Sequence, residues 1–142
     1  MARITFKGGE DFMRRLEQMG DRSEAMIKEA IYDGAHILTD EIRANLEKNL
    51  SGSDESTGAL AGSLGITKIK KDDSGVWNAK IGFDGYDEKG VPNQLKARLM
   101  ESGSSTIQKR PFVRPAVNAK RKEAEAAMER VIMEEIKKTM EE

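Results

Sequence analysis

Cysteine is absent from these 142 residues. Its absence excludes disulfides, thiolate nucleophiles and thiolate zinc sites, and it fits a reducing compartment. Histidine occurs once, at His36, inside a helical pattern and beside its apolar stripe. A lone imidazole there has no partner set for metal or triad chemistry and reads as a helix-surface or boundary residue. Aromatic residues are scarce at 5%, and hydrophobic residues make up 37% against 35% charged. Such a chain builds a thin core behind much charged surface, as subunits that complete their burial in an assembly do, though small soluble monomers share this make-up. No apolar run approaches the ~18 residues needed to span a bilayer. No apolar h-region follows Arg3 in MARITFKGGE, so a signal peptide is not expected. Excess charge of one sign is missing too: 24 Lys and Arg stand against 25 Asp and Glu, a net charge of −1. A wholesale nucleic-acid binder is usually basic, so any such role here would be local. Neither G-x-G-x-x-G nor G-x-x-x-x-G-K-[ST] occurs, so no nucleotide cradle is signalled.

What is present reads as one α+β domain over residues 1–142, a length that suits a single core. Arg3-Ile4-Thr5-Phe6-Lys7 alternates polar and apolar, which predicts a short strand ended by Gly8-Gly9. Residues 10–19 fit a short helix with Phe12, Leu16 and Met19 on one stripe. Asp21 and Glu24 have capping-box spacing, so a helix should begin there. It is long, because Ile27, Ile31, Leu38, Ile42 and Leu46 recur at helical intervals. Gly34 in its middle costs roughly 1 kcal/mol relative to Ala, which makes sense if another backbone packs closely there; a tolerated defect is the alternative.

A polar loop over 51–56 and the stretch Thr57-Gly58-Ala59-Leu60-Ala61-Gly62-Ser63-Leu64 lead into a predicted hairpin. One strand covers 64–71, Asp72-Asp73-Ser74-Gly75 is the turn, and 76–83 is the partner. Trp77, Ala79, Ile81 and Phe83 should share one face, with Asn78 and Lys80 on the other. Leu64 and Ile66 share a phase that Ile69 breaks, which predicts a bulge. A loop at 84–92 with two glycines follows, then a short helix or irregular strand over 93–101. A second long helix is expected over 113–140, with Val113, Val117, Ala124, Met128, Val131, Ile132, Ile136 and Met140 as its stripe. The predicted architecture is a small antiparallel β-sheet packed by a long N-terminal helix and a long C-terminal helix.

Carboxylates at Asp72, Asp73, Asp84, Asp87 and Glu88 all fall in turns, where local hydrogen bonding already favours them. The methionines mostly occupy helical core positions, where they fill gaps. No catalytic residue, metal or cofactor is expected from these patterns.

The stretch from Met100 to Lys120, MESGSSTIQKRPFVRPAVNAK, stands apart. It holds two of the chain's three prolines, and Lys109, Arg110, Arg114, Lys120, Arg121 and Lys122 place six positive charges over 109–122 with no acid between them. Glutamates crowd the far end of the same predicted helix. That polarity is backwards for an isolated helix, whose N-terminus favours anions. Pairs such as Arg121–Glu125, Arg130–Glu134 and Glu134–Lys138 would recover a few tenths of a kcal/mol each. Pro111 and Pro115 fix φ and remove two donors; Pro115 is tolerated in a first helical turn but not deeper. Arg110-Pro111-Phe112-Val113-Arg114-Pro115 therefore reads as a rigid joint, with Phe112 and Val113 buried and Arg110 and Arg114 pointing outward. The basic residues either make a solvated face or meet an acidic surface of a partner or neighbouring copy. With one aromatic, sequence-neutral base stacking is poorly served, but a nucleic-acid-binding accessory protein using 109–122 stays as the alternative.

Glu101-Ser102-Gly103-Ser104 followed by Arg110-Pro111-Phe112-Val113-Arg114-Pro115-Ala116 resembles the E-x-G-[ST] … x-P-F-[LV]-R-P-A signature of small neck and tail-completion proteins of long-tailed bacteriophages and prophages. Thr57-Gly58-Ala59-Leu60-Ala61-Gly62-Ser63-Leu64 is similar to that family's T-G-x-L-x-x-S-[IL] element. The order of long helix, T-G-x-L, hairpin, E-x-G-S, P-F-x-R-P-A and terminal helix agrees across most of the chain. One departure is Leu99-Met100, where members often carry an aromatic. The resemblance implies a non-enzymatic virion component for head–tail joining or for terminating the tail tube. Such proteins act as rings, often sixfold. Its implied partners are its own copies, the tail tube and the head connector, with nucleic acid only passing through a ring and no membrane. Its implied location is the host cytoplasm during assembly and then the neck or tail of the virion. It implies structural roles for Glu101, Gly103, Pro111, Phe112, Arg114 and Pro115.

Overall fold

In the computed structural model, residues 3–5, 21–50 and 59–141 are described, with side chains described over 24–50 and 60–138. Strand β1 (Arg3–Thr5) forms where alternation predicts it. Phe6, the helix expected over 10–19, the loop 51–56 and the Thr57-Gly58 pair lie outside the described residues.

Helix α1 (Asp21–Leu50) starts at the predicted capping position. Ile27, Ile31, Leu38, Ile42 and Leu46 are all buried, joined by Met26, Ala30 and Ala35, because spacings of three and four put them on one side of the helix. Helix α4 (Val113–Glu141) packs along α1 in the opposite direction. Asn49 meets Arg110 and Asn45 meets Phe112 at one end, while Gly34 meets Ala124 and Met128 further along.

Gly34 is the close-approach point that its cost in the helix suggested. A Cβ built there would stand 2.7 Å from Met128 Cγ and 3.3 Å from the Ala124 carbonyl oxygen. Gly34→Val is expected to lower stability by about 1–3 kcal/mol through overpacking, despite its better helix propensity. Met128→Ala should absorb part of that loss, so the double variant should be more stable in urea than the two single losses add up to.

Strand β4 (Trp77–Phe83) is the spine of the sheet, with β1 on one side and β2 (Leu64–Ile66) and β3 (Lys70–Lys71) on the other, all antiparallel. The single strand expected over 64–71 is thus broken in two. From Ile66↔Ile81 to Lys70↔Asn78 one side advances four residues while β4 retreats three, which is the predicted bulge. Thr67 bridges it: its amide donates to the Lys80 carbonyl at 2.8 Å, and its hydroxyl accepts from the Lys80 amide at 2.8 Å. The turn is closed by Asp72, whose carboxylate accepts from the amides of Ser74 and Val76 at 2.9 and 3.0 Å.

Ala79, Ile81 and Phe83 point into the core. Trp77 is half-buried, flanked by the ammonium groups of Lys28 and Lys71 at 5.7 and 5.8 Å from its ring centre. On the opposite face Lys80 is exposed and Asn78 is buried. Its amide donates to the Val76 carbonyl at 3.1 Å, which satisfies one of its donors without water.

The short helix α2 (Ala59–Gly62) gives the T-G-x-L-x-x-S element its physical sense. Leu60 and Leu64 are buried, and the Ser63 hydroxyl donates to the Leu60 carbonyl at 2.7 Å, closing the turn between them. Helix α3 (Asn93–Ser102) settles the segment left between helix and irregular strand. The chain is α+β: a small antiparallel sheet packed by a long N-terminal and a long C-terminal helix.

Candidate functional site

The signature residues converge where α3, α4 and the end of α1 meet. Helix α3 stops at Gly103, whose φ of 73° suits glycine. Its amide donates to the Leu99 carbonyl at 2.7 Å. A Cβ there would also lie 3.0 Å from the Ile107 carbonyl oxygen and from the Lys109 amide nitrogen, so glycine is required on two grounds. Ser104 then folds the exposed segment back, its hydroxyl accepting from the Thr106 and Ile107 amides at 3.2 and 3.0 Å. The Arg110 amide donates to the Met100 carbonyl at 2.7 Å. Met100 itself is half-buried against the core.

Phe112 is completely buried. Its ring meets Phe83 edge-on, 5.8 Å between centres and 73° between planes. Val113, expected to be buried, is half-buried. The start of α4 is held by Glu101, one element upstream. One carboxylate oxygen accepts from the amides of Phe112 and Val113 at 2.7 and 2.9 Å, and the other from Arg114 at 2.9 Å. A helix leaves its first four amides without partners. Here three are bound by Glu101 and the fourth position is Pro115, which has no amide hydrogen. Every donor of that turn is accounted for. Glu101 is also the anion that the reversed charge polarity of α4 lacked on its own chain segment.

The last turn of α1 grips the same joint. Asn45 Nδ2 donates to the Phe112 carbonyl and Asn49 Nδ2 to the Arg110 carbonyl, both at 3.2 Å. In return Arg110 Nη1 donates to the Asn49 carbonyl at 3.1 Å, placing a cation at a helix C-terminus. Sequence reasoning missed Asn45 and Asn49. The available signal was two amides four residues apart, flanking the buried Leu46.

The six basic residues do not form one cluster. Arg110 is exposed, as expected, yet committed to α1. Lys120 is half-buried and pairs with Glu123 at 3.2 Å. Lys109, Arg114, Arg121 and Lys122 are exposed, and Arg114 and Arg121, seven residues apart, share one side of the helix. Among the described residues the ion pairs along α4 include Lys120–Glu123 and Glu135–Lys138, three residues apart, and not the expected Arg121–Glu125, Arg130–Glu134 and Glu134–Lys138. Both spacings bring exposed side chains within reach at similar small gain, so sequence alone does not choose between them.

His36 is exposed against Tyr32, ring centres 4.4 Å apart. Among the described residues no group of three or more His, Asp or Glu side chains is placed to hold a metal ion, and no helix is long and apolar enough to cross a membrane. A shallow recess of about 710 Å³ opens on the outer sheet face, where Gly65 and Gly82 pair and present no side chains.

The loop 84–92 has its own fastening. Asp87 pairs with Lys96 of α3 and accepts from the Lys89 and Val91 amides at 2.9 and 2.8 Å. The Lys96 ammonium bonded to it, helped by these amides, holds its carboxyl below the usual carboxylate range. A depressed folded-state value contributes stability that is present above the unfolded value of about 3.9 and is lost as pH falls through the folded one. The protection of the Lys89 and Val91 amides, relative to their intrinsic exchange rates, should therefore fall only at pH below that range. Asp87→Asn should remove this pH dependence in amide exchange followed by NMR.

Compared with protein-family models, curated proteins and solved structures, the chain matches none.

Proposed function

We propose that this chain is a non-enzymatic structural subunit of the neck or tail end of a long-tailed phage or prophage, joining or terminating the tail tube through ring assembly. One observation supports this reading above the others: the signature residues are spent on geometry. Glu101, Gly103, Phe112 and Pro115 do not gather reactive groups; they set the direction of a 29-residue helix. A helix held at both its base and its flank is a stiff element to present to a neighbouring subunit. Native mass measurement of the chain, alone and with isolated tail tubes, tests the proposal. Closed oligomers in either setting agree with it; a monomer that ignores tubes and connectors contradicts it.

A nucleic-acid accessory role draws on the exposure of Lys109, Arg114, Arg121 and Lys122. Phosphate contacts would give DNA binding a steep salt slope, about 0.9 per neutralised phosphate on double-stranded DNA. The structural reading expects no such binding at physiological salt.

A further inference from the structure

The outward side of α1 carries a ladder of acids. Glu29, Asp33, Asp40 and Glu47 are exposed, and their spacings of four, seven and seven place them on one line of the helix. The line runs over ~27 Å at 1.5 Å per residue. Glu29, Asp33 and Glu47 have no ion-pair partner among the described residues; Asp40 reaches Arg43 at 3.6 Å. Beside the Glu29 end of this line Tyr32, half exposed, stacks edge-on against His36. The first turns of α4 present the opposite sign: Arg114, Arg121 and Lys122 are exposed and without ion-pair partners among the described residues, and no acid occurs from 109 to 122. Pro115 and Ala119 lie exposed between them, a small uncharged strip of the kind a tyrosine ring packs on.

We infer that these two faces are made for each other: the acidic side of α1 in one copy docks on the basic start of α4 in the next, with Tyr32 as the anchor. The inference rests on the ring reading and names its contact. The occupant is a second copy, because a single chain carries both complementary halves while its net charge is only −1. Complementary rims set register and suppress wrong partners more than they add affinity, and a half-exposed tyrosine is the residue type that supplies affinity. The rigid joint gains a purpose here. Arg114 sits in the turn that Glu101 and Phe112 immobilise, so the basic half is presented at a fixed angle.

Two charge-reversed chains test this. One carries Glu29→Lys, Asp33→Lys and Glu47→Lys, so both its faces are basic. The other carries Arg121→Glu and Lys122→Glu, so both are acidic. Circular dichroism of each should match wild type, since all five side chains are exposed. In sedimentation at low salt, each alone should self-associate at least about tenfold more weakly than wild type, and mixing the two should restore assembly. Tyr32→Ala should weaken wild-type assembly by a similar factor without changing its salt dependence. If each reversed chain assembles as wild type does, the inference is overturned while the ring reading stands. A wild-type chain that stays monomeric at its highest soluble concentration and on tail tubes overturns both. A mixture that forms only pairs supports the contact and removes the ring.

Discussion

Phe112→Ala is expected to destabilise the fold by about 3–5 kcal/mol, the range for truncating a buried aromatic. The magnitude follows from where the ring sits. It is wholly buried, among the largest side chains that are, and it lies edge-on to Phe83. Truncation forfeits transfer free energy, leaves a cavity against Phe83 and loses an aromatic pair worth about 0.5–1.5 kcal/mol beyond its area. The neighbours have little freedom to collapse into the gap. The backbone on both sides is tied, by Glu101 to the amides and by Asn45 to the carbonyl. Natural domains hold only about 5–15 kcal/mol in total, so the variant should be marginal at room temperature. Urea unfolding should show a large drop in midpoint with little change in slope. Phe112→Leu, which retains most of the volume, should lose about 1.5 kcal/mol or less.

The second large effect belongs to Glu101. Glu101→Ala removes the acceptor of three amides at once and, among the described residues, the only anion bonded to the start of α4. Hydrogen bonds to charged groups contribute roughly 1.5–3 kcal/mol each when measured singly. Water can reach the half-exposed turn and replace part of what is lost, so the expected loss is about 2–4 kcal/mol in total, below the sum of three. Glu101→Gln retains one oxygen but brings an NH₂ group against amides that also donate, and should fall between wild type and Ala. Glu101→Asp, one methylene shorter, should behave more like Ala than like Gln. None of these opens a core cavity, so their effect should concentrate in the unfolding of α4. Circular dichroism under denaturant, with the three variants side by side, gives the order Glu, Gln, Asp, Ala. An order with Asp beside Glu would mean that the carboxylate's reach is not what holds the turn.

The parts of this molecule that local pattern encodes were legible beforehand. The stripe of α1, the turn at Asp72, the bulge announced by Ile69 and the burial of Phe112 each follow from spacing or residue chemistry within a few positions, whereas at Gly34 the pattern left close approach and tolerated defect open. The contacts that lock the joint do not. Asn45 and Asn49 act on residues 67 and 61 positions away, and no short-range periodicity reports a partner at that distance. Glu101 was marked as structural through the signature, but its task depends on α3 and α4 meeting at one corner. Asn78 shows a different limit: alternation assigns a face but not how deeply that face is covered. The basic set over 109–122 looked like one cluster in linear order, and helical geometry distributes it among a cap, an ion pair and an exposed row.

Amide hydrogen exchange at Phe112, Val113 and Arg114 in the wild-type chain tests the central claim most directly. If the buried ring and the Glu101 carboxylate fix the start of α4, these three amides should exchange as slowly as those of the α1 core around Ile42, opening only with global unfolding. Exchange as fast as at the exposed Ser105 and Gln108 would show a loose joint, and a helix that nothing aims.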